Sequence, residues 1–197
     1  MTGVESGAQG FAIWFVGLPG SGKSSLARGV AEHLRGRGVE VVLLQMDKRR
    51  KSYFPEPTYT AQEREAAYAM FVDEAVDLVG QGHNVLMDGS AYKVSMRALA
   101  RSRIARFAEV FVQCDLDEAI RREAGRPKGL VIADLYRKAL RRKRTGEPCE
   151  GLGEVIGVDV PFEADPGAEL IIDNTCLARE ETLGKVLHFL DTWLADA

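Results

Sequence analysis

The chain has 197 residues, of which 26 are basic and 29 acidic, and its net charge of −3 argues against nucleic acid as a partner. Three cysteines without a CxxC spacing argue against a disulfide framework or a zinc site. The N-terminus lacks the basic and apolar segments of a signal peptide, and no apolar run approaches the length of a membrane span, so we expect no membrane partner and a cytoplasmic location.

Strand and helix patterns alternate along the chain. We expect residues 1–10 to form a flexible tail and residues 11–197 a single domain. Apolar runs predict strands at residues 11–16, 39–44, 84–87, 109–114 and 169–172. Apolar residues at helical spacing predict helices from residue 23 to about 35, from 61 to 80, and from 179 to 194. The alternation predicts a three-layer α/β/α fold with a mostly parallel, five-stranded sheet.

A phosphate-binding motif follows the first predicted strand. Residues 17–24 read GLPGSGKS, which matches the P-loop pattern GxxxxGK[ST] in full and leads into a predicted helix. Glycines let successive backbone N–H groups turn toward an anion, and the helix directs its positive end there. We expect Lys23 to reach the β- and γ-phosphates of ATP from a solvent-facing position, and the Ser24 hydroxyl to bind Mg²⁺. The predicted ATP-binding residues are Gly17, Leu18, Pro19, Gly20, Ser21, Gly22, Lys23, Ser24 and Ser25.

The P-loop indicates a nucleoside triphosphate but does not identify the reaction. The guanine-reading NKxD motif of GTPases is absent, and motor or AAA-type ATPases usually need a longer chain. Residues 121–144 contain ten basic and two acidic side chains, which favours a kinase with a basic lid over approximately residues 121–160. Nucleic-acid binding is the alternative for this segment, but no interleaved aromatic residues support it. Within the lid we expect a solvated face over 137–144, with Leu135, Ala139 and Tyr136 turned inward.

Two aspartates follow predicted strands, at the edge of the sheet where α/β proteins bind ligands. Asp47 follows the second strand and Asp88 follows the third. Either carboxylate could hold Mg²⁺ or accept the proton of an attacking hydroxyl, and capping of a turn is the alternative for each. The basic run 48–51 comes directly after Asp47. We expect one of its arginines to bind an anionic acceptor through a bidentate fork.

Together these motifs resemble the adenylylsulfate (APS) kinase family over most of residues 11–190. Residues 109–118 are similar to the family's EVfVdxPLe, 157–163 to GidxPYE and 168–173 to pELvlDt. Residues 90–93 (SAYK) stand where the family has SPYR. Lys128 with Gly129, followed by residues 135–139, resembles KGLYkkA split by a short insertion.

The chain also departs from the family pattern. The family's DGDxxR reads QMDKRR at residues 45–50, so Gln45 replaces the first aspartate. EDRxxN survives only as residues 62–64, with Ala67 in place of the asparagine. The aromatic residue of FTG, which the family uses to stack on the acceptor, is replaced around Val155 and Ile156. Phe54 and Tyr59 are the nearest aromatic residues that could supply the stack instead.

The resemblance implies a P-loop kinase that uses ATP and Mg²⁺ to phosphorylate a small anionic acceptor, with APS as the leading candidate in sulfate assimilation. It favours Asp47 over Asp88 as the group in line with the attacking hydroxyl. A homodimer is a further expectation. The predicted catalytic residues are Lys23, Asp47 and Asp88, the metal residues Ser24 and Asp47, and the acceptor-binding residues Arg50, Arg64, Ser90, Tyr92 and Lys128.

Two other functions stay open at this point. A strand-end aspartate such as Asp88 is reminiscent of polynucleotide-kinase-like enzymes, which points to a different nucleotide conjugate or a nucleic-acid 5′ end as the acceptor. Gln45, in place of a carboxylate, is the one feature that favours a non-catalytic nucleotide-binding regulator.

Overall fold

The computed structural model describes residues 10–125 and 134–195, so Lys128 and residues 1–9 of the expected tail lie outside the described residues. The strands are β1 (Ala12–Val16), β2 (Val41–Gln45), β3 (Asn84–Asp88), β4 (Phe107–Gln113) and β5 (Leu170–Asp173). They form a single five-stranded sheet in the order β2-β3-β1-β4-β5. All of its neighbouring pairs are parallel, which confirms the predicted sheet.

The described helices are α1 (Lys23–Gly36), α2 (Met46–Tyr53), α3 (Ala61–Gly80), α4 (Val94–Arg103), α5 (Leu116–Ala124), α6 (Leu135–Thr145) and α7 (Arg179–Ala195). Helices α1, α3 and α7 match the predicted ones, and Thr60 caps the start of α3. None of these helices is long and apolar enough to cross a membrane.

Helix α2 was not among the helices predicted from the sequence, which described residues 48–51 only as a basic run after Asp47. Asp47 lies in the first turn of α2 rather than at a strand end. Met46 and Arg50, one turn apart, are the buried residues of this helix. Sequence periodicity detects a helix by its apolar stripe. Here one of the two inward residues is an arginine within a charged run, so the helix was not predicted.

The sheet is covered on both faces, as predicted. Side chains of β1 alternate between the faces, so that Trp14 packs with α3 and α4. Ile13 and Phe15 pack on the opposite side with α1 and α7. Strand β1 lies at the centre of the sheet, and all of its residues are buried. The P-loop follows directly at its carboxyl end, where α/β proteins bind ligands.

Helices α5 and α6 pack on each other around a third apolar cluster at the same edge of the sheet. Tyr136 and Ala139 are fully buried in this cluster, and Leu135 is half-buried, which confirms the expected inward face of α6. Cys114 is buried in the same cluster. Arg137 and Arg141 of α6 are exposed and form ion pairs with nearby carboxylates, whereas Arg142 is half-buried and donates to the Leu152 and Gly153 carbonyl oxygen atoms.

Candidate active site

The P-loop backbone has a shape that only glycine supports. Gly20 has φ +88° and Gly22 has φ +103°, in the left-handed region. A Cβ added at Gly20 would lie 2.2 Å from the carbonyl oxygen of Ala119, so the loop passes directly against α5. This conformation turns the loop into a cradle at the start of α1, which fits the triphosphate of a nucleotide.

Lys23 lies over this cradle and is buried, with 6% of its surface exposed. Its Nζ donates a hydrogen bond to the Leu18 carbonyl oxygen at 3.2 Å. The expectation that Lys23 faces solvent is therefore wrong. The ammonium group folds back across the loop, because a cation is stabilised there by backbone oxygen atoms.

The P-loop is also held from behind by residues that sequence reasoning missed. Asn174 donates from Nδ2 to the Ser21 carbonyl oxygen at 2.7 Å, and Thr182 donates from Oγ1 to Asn174 Oδ1 at 2.6 Å. Tyr136 donates from its hydroxyl to the Pro19 carbonyl oxygen at 2.9 Å. The signal for Asn174 was its position just after the last predicted strand, where ligand-facing residues collect.

Ser24 and Asp88 form the polar centre of the site. The Ser24 hydroxyl donates to Asp88 Oδ1 at 2.9 Å, and Gln45 donates from Nε2 to Asp88 Oδ2 at 3.3 Å. Gln45 and Asp88 are register partners on the neighbouring strands β2 and β3, which explains their contact. Hydroxyl and carboxylate oxygen atoms are the donors that Mg²⁺ prefers, so this pair suits that ion.

One cleft connects most of the predicted site residues. It is lined by Lys23, Ser24, Asp47, Arg50, Arg64 and Ser90 together with apolar residues. Tyr92 lies behind it, with the Arg64 guanidinium 5.3 Å from its ring centre. Lys128 falls outside the described residues, so the structure does not place it.

Two buried arginines line the same cleft as the P-loop residues. Arg50 and Arg64 are each 6% exposed. Arg50 pairs with Glu63 at 3.0 Å, and Arg64 donates from Nη2 to the Glu154 carbonyl oxygen at 2.5 Å. Among the described residues, Arg64 Nη1 is buried and has no hydrogen-bond partner. A buried, unsatisfied guanidinium nitrogen in a cleft is suited to an anionic ligand.

The walls of the cleft beyond these arginines differ in chemistry. Tyr59 supplies an aromatic side chain, whereas Phe54 packs against the core and is absent from the lining. The segment before Gly157 contributes three aliphatic side chains to the lining, those of Leu152, Val155 and Ile156, and no aromatic one. Of the two aromatic candidates, Tyr59 is therefore the one that a ligand in this cleft could contact.

The loop that carries Ser90 is fixed by buried polar groups. The Tyr68 hydroxyl accepts a hydrogen bond from the Ala91 N–H at 2.8 Å, and burial raises the pKa of Tyr68 to about 12. Arg97 donates to the Ala91 carbonyl oxygen at 2.5 Å and lies 2.9 Å from Glu109, both side chains being fully buried. These contacts hold Ser90 at the cleft in one orientation, although sequence spacing alone did not indicate Arg97.

Comparisons with known proteins agree with this geometry. Residues 9–173 match the family model described as adenylylsulphate kinase. The chain is 32% identical over 194 residues to an adenylyl-sulfate kinase of Geotalea uraniireducens, covering 98% of this chain and 86% of that protein. It is 32% identical over 184 residues to a probable bifunctional SAT/APS kinase 2 of Sorangium cellulosum, covering 92% of this chain but only 29% of that protein. The structure of the Mycobacterium tuberculosis APS kinase in complex with AMPPNP and APS matches with a TM-score of 0.74 and 28% identity, covering 93% of this chain and 99% of the other.

Proposed function

Because the chain belongs to the adenylylsulphate kinase family, we propose that it transfers the γ-phosphoryl group of ATP to a hydroxyl group of adenylyl sulfate. The observation that carries this proposal is the charge arrangement of the cleft. Lys23 of the P-loop, Arg50 of α2 and Arg64 of α3 are all buried and line one cleft. The Lys23 ammonium group suits a triphosphate, and the two arginines suit the phosphate or sulfate group of a second ligand.

In this reaction the acceptor oxygen attacks the γ-phosphorus, and the bond to the β–γ bridging oxygen breaks. Lys23 stabilises the negative charge that moves onto the leaving phosphate. Asp47 is exposed at the cleft on α2, where it takes up the proton of the attacking hydroxyl. Arg50 and Arg64 orient the acceptor, since a guanidinium fork fixes an anion in direction as well as in position.

We assign Mg²⁺ to Ser24 and Asp88, which modifies the prediction of Ser24 and Asp47. The support is the direct contact of 2.9 Å between the Ser24 hydroxyl and Asp88. When bound, Mg²⁺ neutralises charge on the phosphates. Gln45 then orients the Asp88 carboxylate, so the residue that had suggested a non-catalytic regulator supports a working metal site.

Recognition of the acceptor base rests on Tyr59. Base stacking on an aromatic side chain is worth about 1–3 kcal/mol, and an aliphatic wall supplies less directional contact. With aliphatic Val155 and Ile156 in the lining, we expect APS affinity to be about 10- to 100-fold below that of a relative that has the aromatic residue of FTG. The aliphatic residues in the lining also favour the second candidate function, which is a kinase of another nucleotide conjugate that carries the same kind of anionic group.

The test is isothermal titration of the ADP-bound protein with APS. We expect micromolar binding that is abolished by Arg50→Ala. Arg49→Ala is the matched control, because Arg49 pairs with Glu74 outside the cleft and its side chain is 40% exposed. Absence of binding at millimolar APS would exclude this acceptor and leave a P-loop kinase of another substrate. A cytoplasmic location, a homodimer, a single domain over residues 11–197 and acceptor binding by Lys128 stay predictions.

A further inference from the structure

Glu63 is a hydrogen-bonding centre just behind the acceptor side of the cleft. Its carboxylate accepts hydrogen bonds from Arg50 Nη1 at 3.0 Å, from the Tyr59 N–H at 3.2 Å and from the Thr58 hydroxyl at 2.6 Å. The Thr58 N–H donates to the same carboxylate. Glu63 is absent from the residues that line the described cleft, so it touches the ligand-binding residues rather than the ligand space.

The first of these contacts fixes the direction of a cation. The side chains of Arg50 and Glu63 are 7% and 8% exposed, so water contributes little to holding either of them. A buried guanidinium that loses its carboxylate partner is an uncompensated charge, and its orientation is no longer determined. Glu63 therefore sets which way Arg50 faces in the cleft.

The hydrogen bonds from Thr58 and Tyr59 to Glu63 hold the backbone that carries the aromatic side chain of the cleft. Tyr59 has φ +57°, a left-handed conformation that is costly for a residue with a Cβ. The two N–H groups of Thr58 and Tyr59 both donate to Glu63, which stabilises the turn in this conformation. The Tyr59 carbonyl oxygen lies against Gly153, since a Cβ there would come within 2.1 Å of it. The Tyr59 backbone is thus held between Glu63 and Gly153, and the Arg50 guanidinium lies 5.2 Å from the centre of the Tyr59 ring.

We infer that Glu63 is a positioning residue that aligns the anion-binding Arg50 and the base-contacting Tyr59 as one unit. This inference rests on the proposed acceptor site. Burial disfavours the charged form of Glu63, but the hydrogen bonds from Thr58, Tyr59 and Arg50 outweigh it, so its pKa is lowered and the carboxylate stays ionised. In Glu63→Gln the amide keeps one acceptor oxygen and places an NH₂ group among donors, while Arg50 loses its counter-charge.

The experiment compares Glu63→Gln with wild type by titrating APS and, separately, an ATP analogue. We expect APS affinity to fall at least about 10-fold, the scale of a lost hydrogen bond to a charged group, while affinity for the ATP analogue changes less than about 2-fold. Thr60→Ala is the control, because Thr60 Oγ1 accepts the Glu63 N–H at 3.2 Å and caps α3 without using the carboxylate. This control should lower the melting temperature and leave APS affinity unchanged.

A second readout needs no acceptor. Amide hydrogen exchange of the ligand-free protein should accelerate at least about 10-fold at Thr58 and Tyr59 in Glu63→Gln, and stay unchanged along α3, which follows them. Equal loss of APS and ATP affinity, or faster exchange throughout α3, would assign Glu63 a general structural role and overturn the inference. Unchanged exchange and unchanged affinity would overturn it as well. If wild type does not bind APS, the proposed acceptor fails, and the exchange experiment still decides the role of Glu63.

Discussion

Replacement of Asp88 by asparagine tests the metal site most directly. The Asp88 carboxylate accepts hydrogen bonds from the Ser24 hydroxyl at 2.9 Å and from Gln45 Nε2 at 3.3 Å. Asparagine has the same shape but no charge. Its NH₂ group can face the Gln45 side, because the Gln45 amide can turn over and present its oxygen, so we expect the fold to survive.

The effect should therefore appear in metal dependence rather than in stability. Loss of a carboxylate around a bound metal typically costs 10- to 100-fold in metal affinity, which corresponds to about 1.4–2.7 kcal/mol. We expect the Mg²⁺ concentration that half-saturates binding of a fluorescent ATP analogue to rise by that factor in Asp88→Asn. In EDTA the variant should bind the analogue as well as wild type or more tightly, because a negative charge beside the triphosphate is removed.

Asp47→Asn is the matched variant, since Asp47 lines the cleft beside Ser24 and takes no part in the bond between Ser24 and Asp88. We expect it to lower kcat and leave the Mg²⁺ dependence of nucleotide binding unchanged. Superimposable Mg²⁺ titrations for wild type and Asp88→Asn, with a shift in Asp47→Asn instead, would refute the assignment of the metal to Asp88 and restore it to Asp47.

Three further predictions concern Lys23 of the P-loop, the glycines Gly184 and Gly20, and the pH dependence of stability that Glu63 causes. Lys23→Ala should lower kcat by roughly 10²- to 10³-fold and, since its bond to Leu18 is lost, lower the unfolding free energy by about 1 kcal/mol in urea. Gly184→Ala, in open space within α7, should raise the unfolding free energy by about 0.5–1 kcal/mol, whereas Gly20→Ala should lower it, and the opposite order would contradict the loop geometry. Ionised Glu63 makes its full contribution to the unfolding free energy above its ordinary pKa of 4.5. This contribution is lost as the pH falls through the lowered pKa that Glu63 has in the folded protein. The difference in unfolding free energy between wild type and Glu63→Gln should therefore be constant from neutral pH down to about 5 and shrink below it, and an unchanged difference in acid would contradict the lowered pKa.

The sequence predicted the P-loop and the sheet because both depend on local patterns. A GxxxxGK[ST] motif between a strand and a helix specifies its own backbone, and buried parallel strands are continuous apolar runs. The contact between Ser24 and Asp88 joins residues 64 positions apart, and it exists because β3 lies beside β1 in the sheet. Strand order is a property of the whole fold, so the sequence prediction placed the metal at Ser24 and Asp47 and did not pair Ser24 with Asp88.

The role of Gln45 could not be predicted from the sequence either. In the sequence it is a missing carboxylate, and that loss favoured a protein without catalysis. In the structure, β2 pairs with β3 so that Gln45 stands beside Asp88, and an amide there donates a hydrogen bond that a second carboxylate could not. Its role is visible only when both strand ends are placed together.

The bond from Asn174 to the P-loop has a consequence for synthesis of the chain. β1 and the P-loop are made early, yet the neighbours of β1 are β3 and β4, and the Ser21 carbonyl is fixed by Asn174, which Thr182 holds in turn. On the ribosome, a nascent chain thus carries the complete phosphate-binding motif long before it can hold that motif in shape. Because these contacts come from residues near the end of the chain, we expect nucleotide to stabilise the protein mainly after α7 has packed, late in folding.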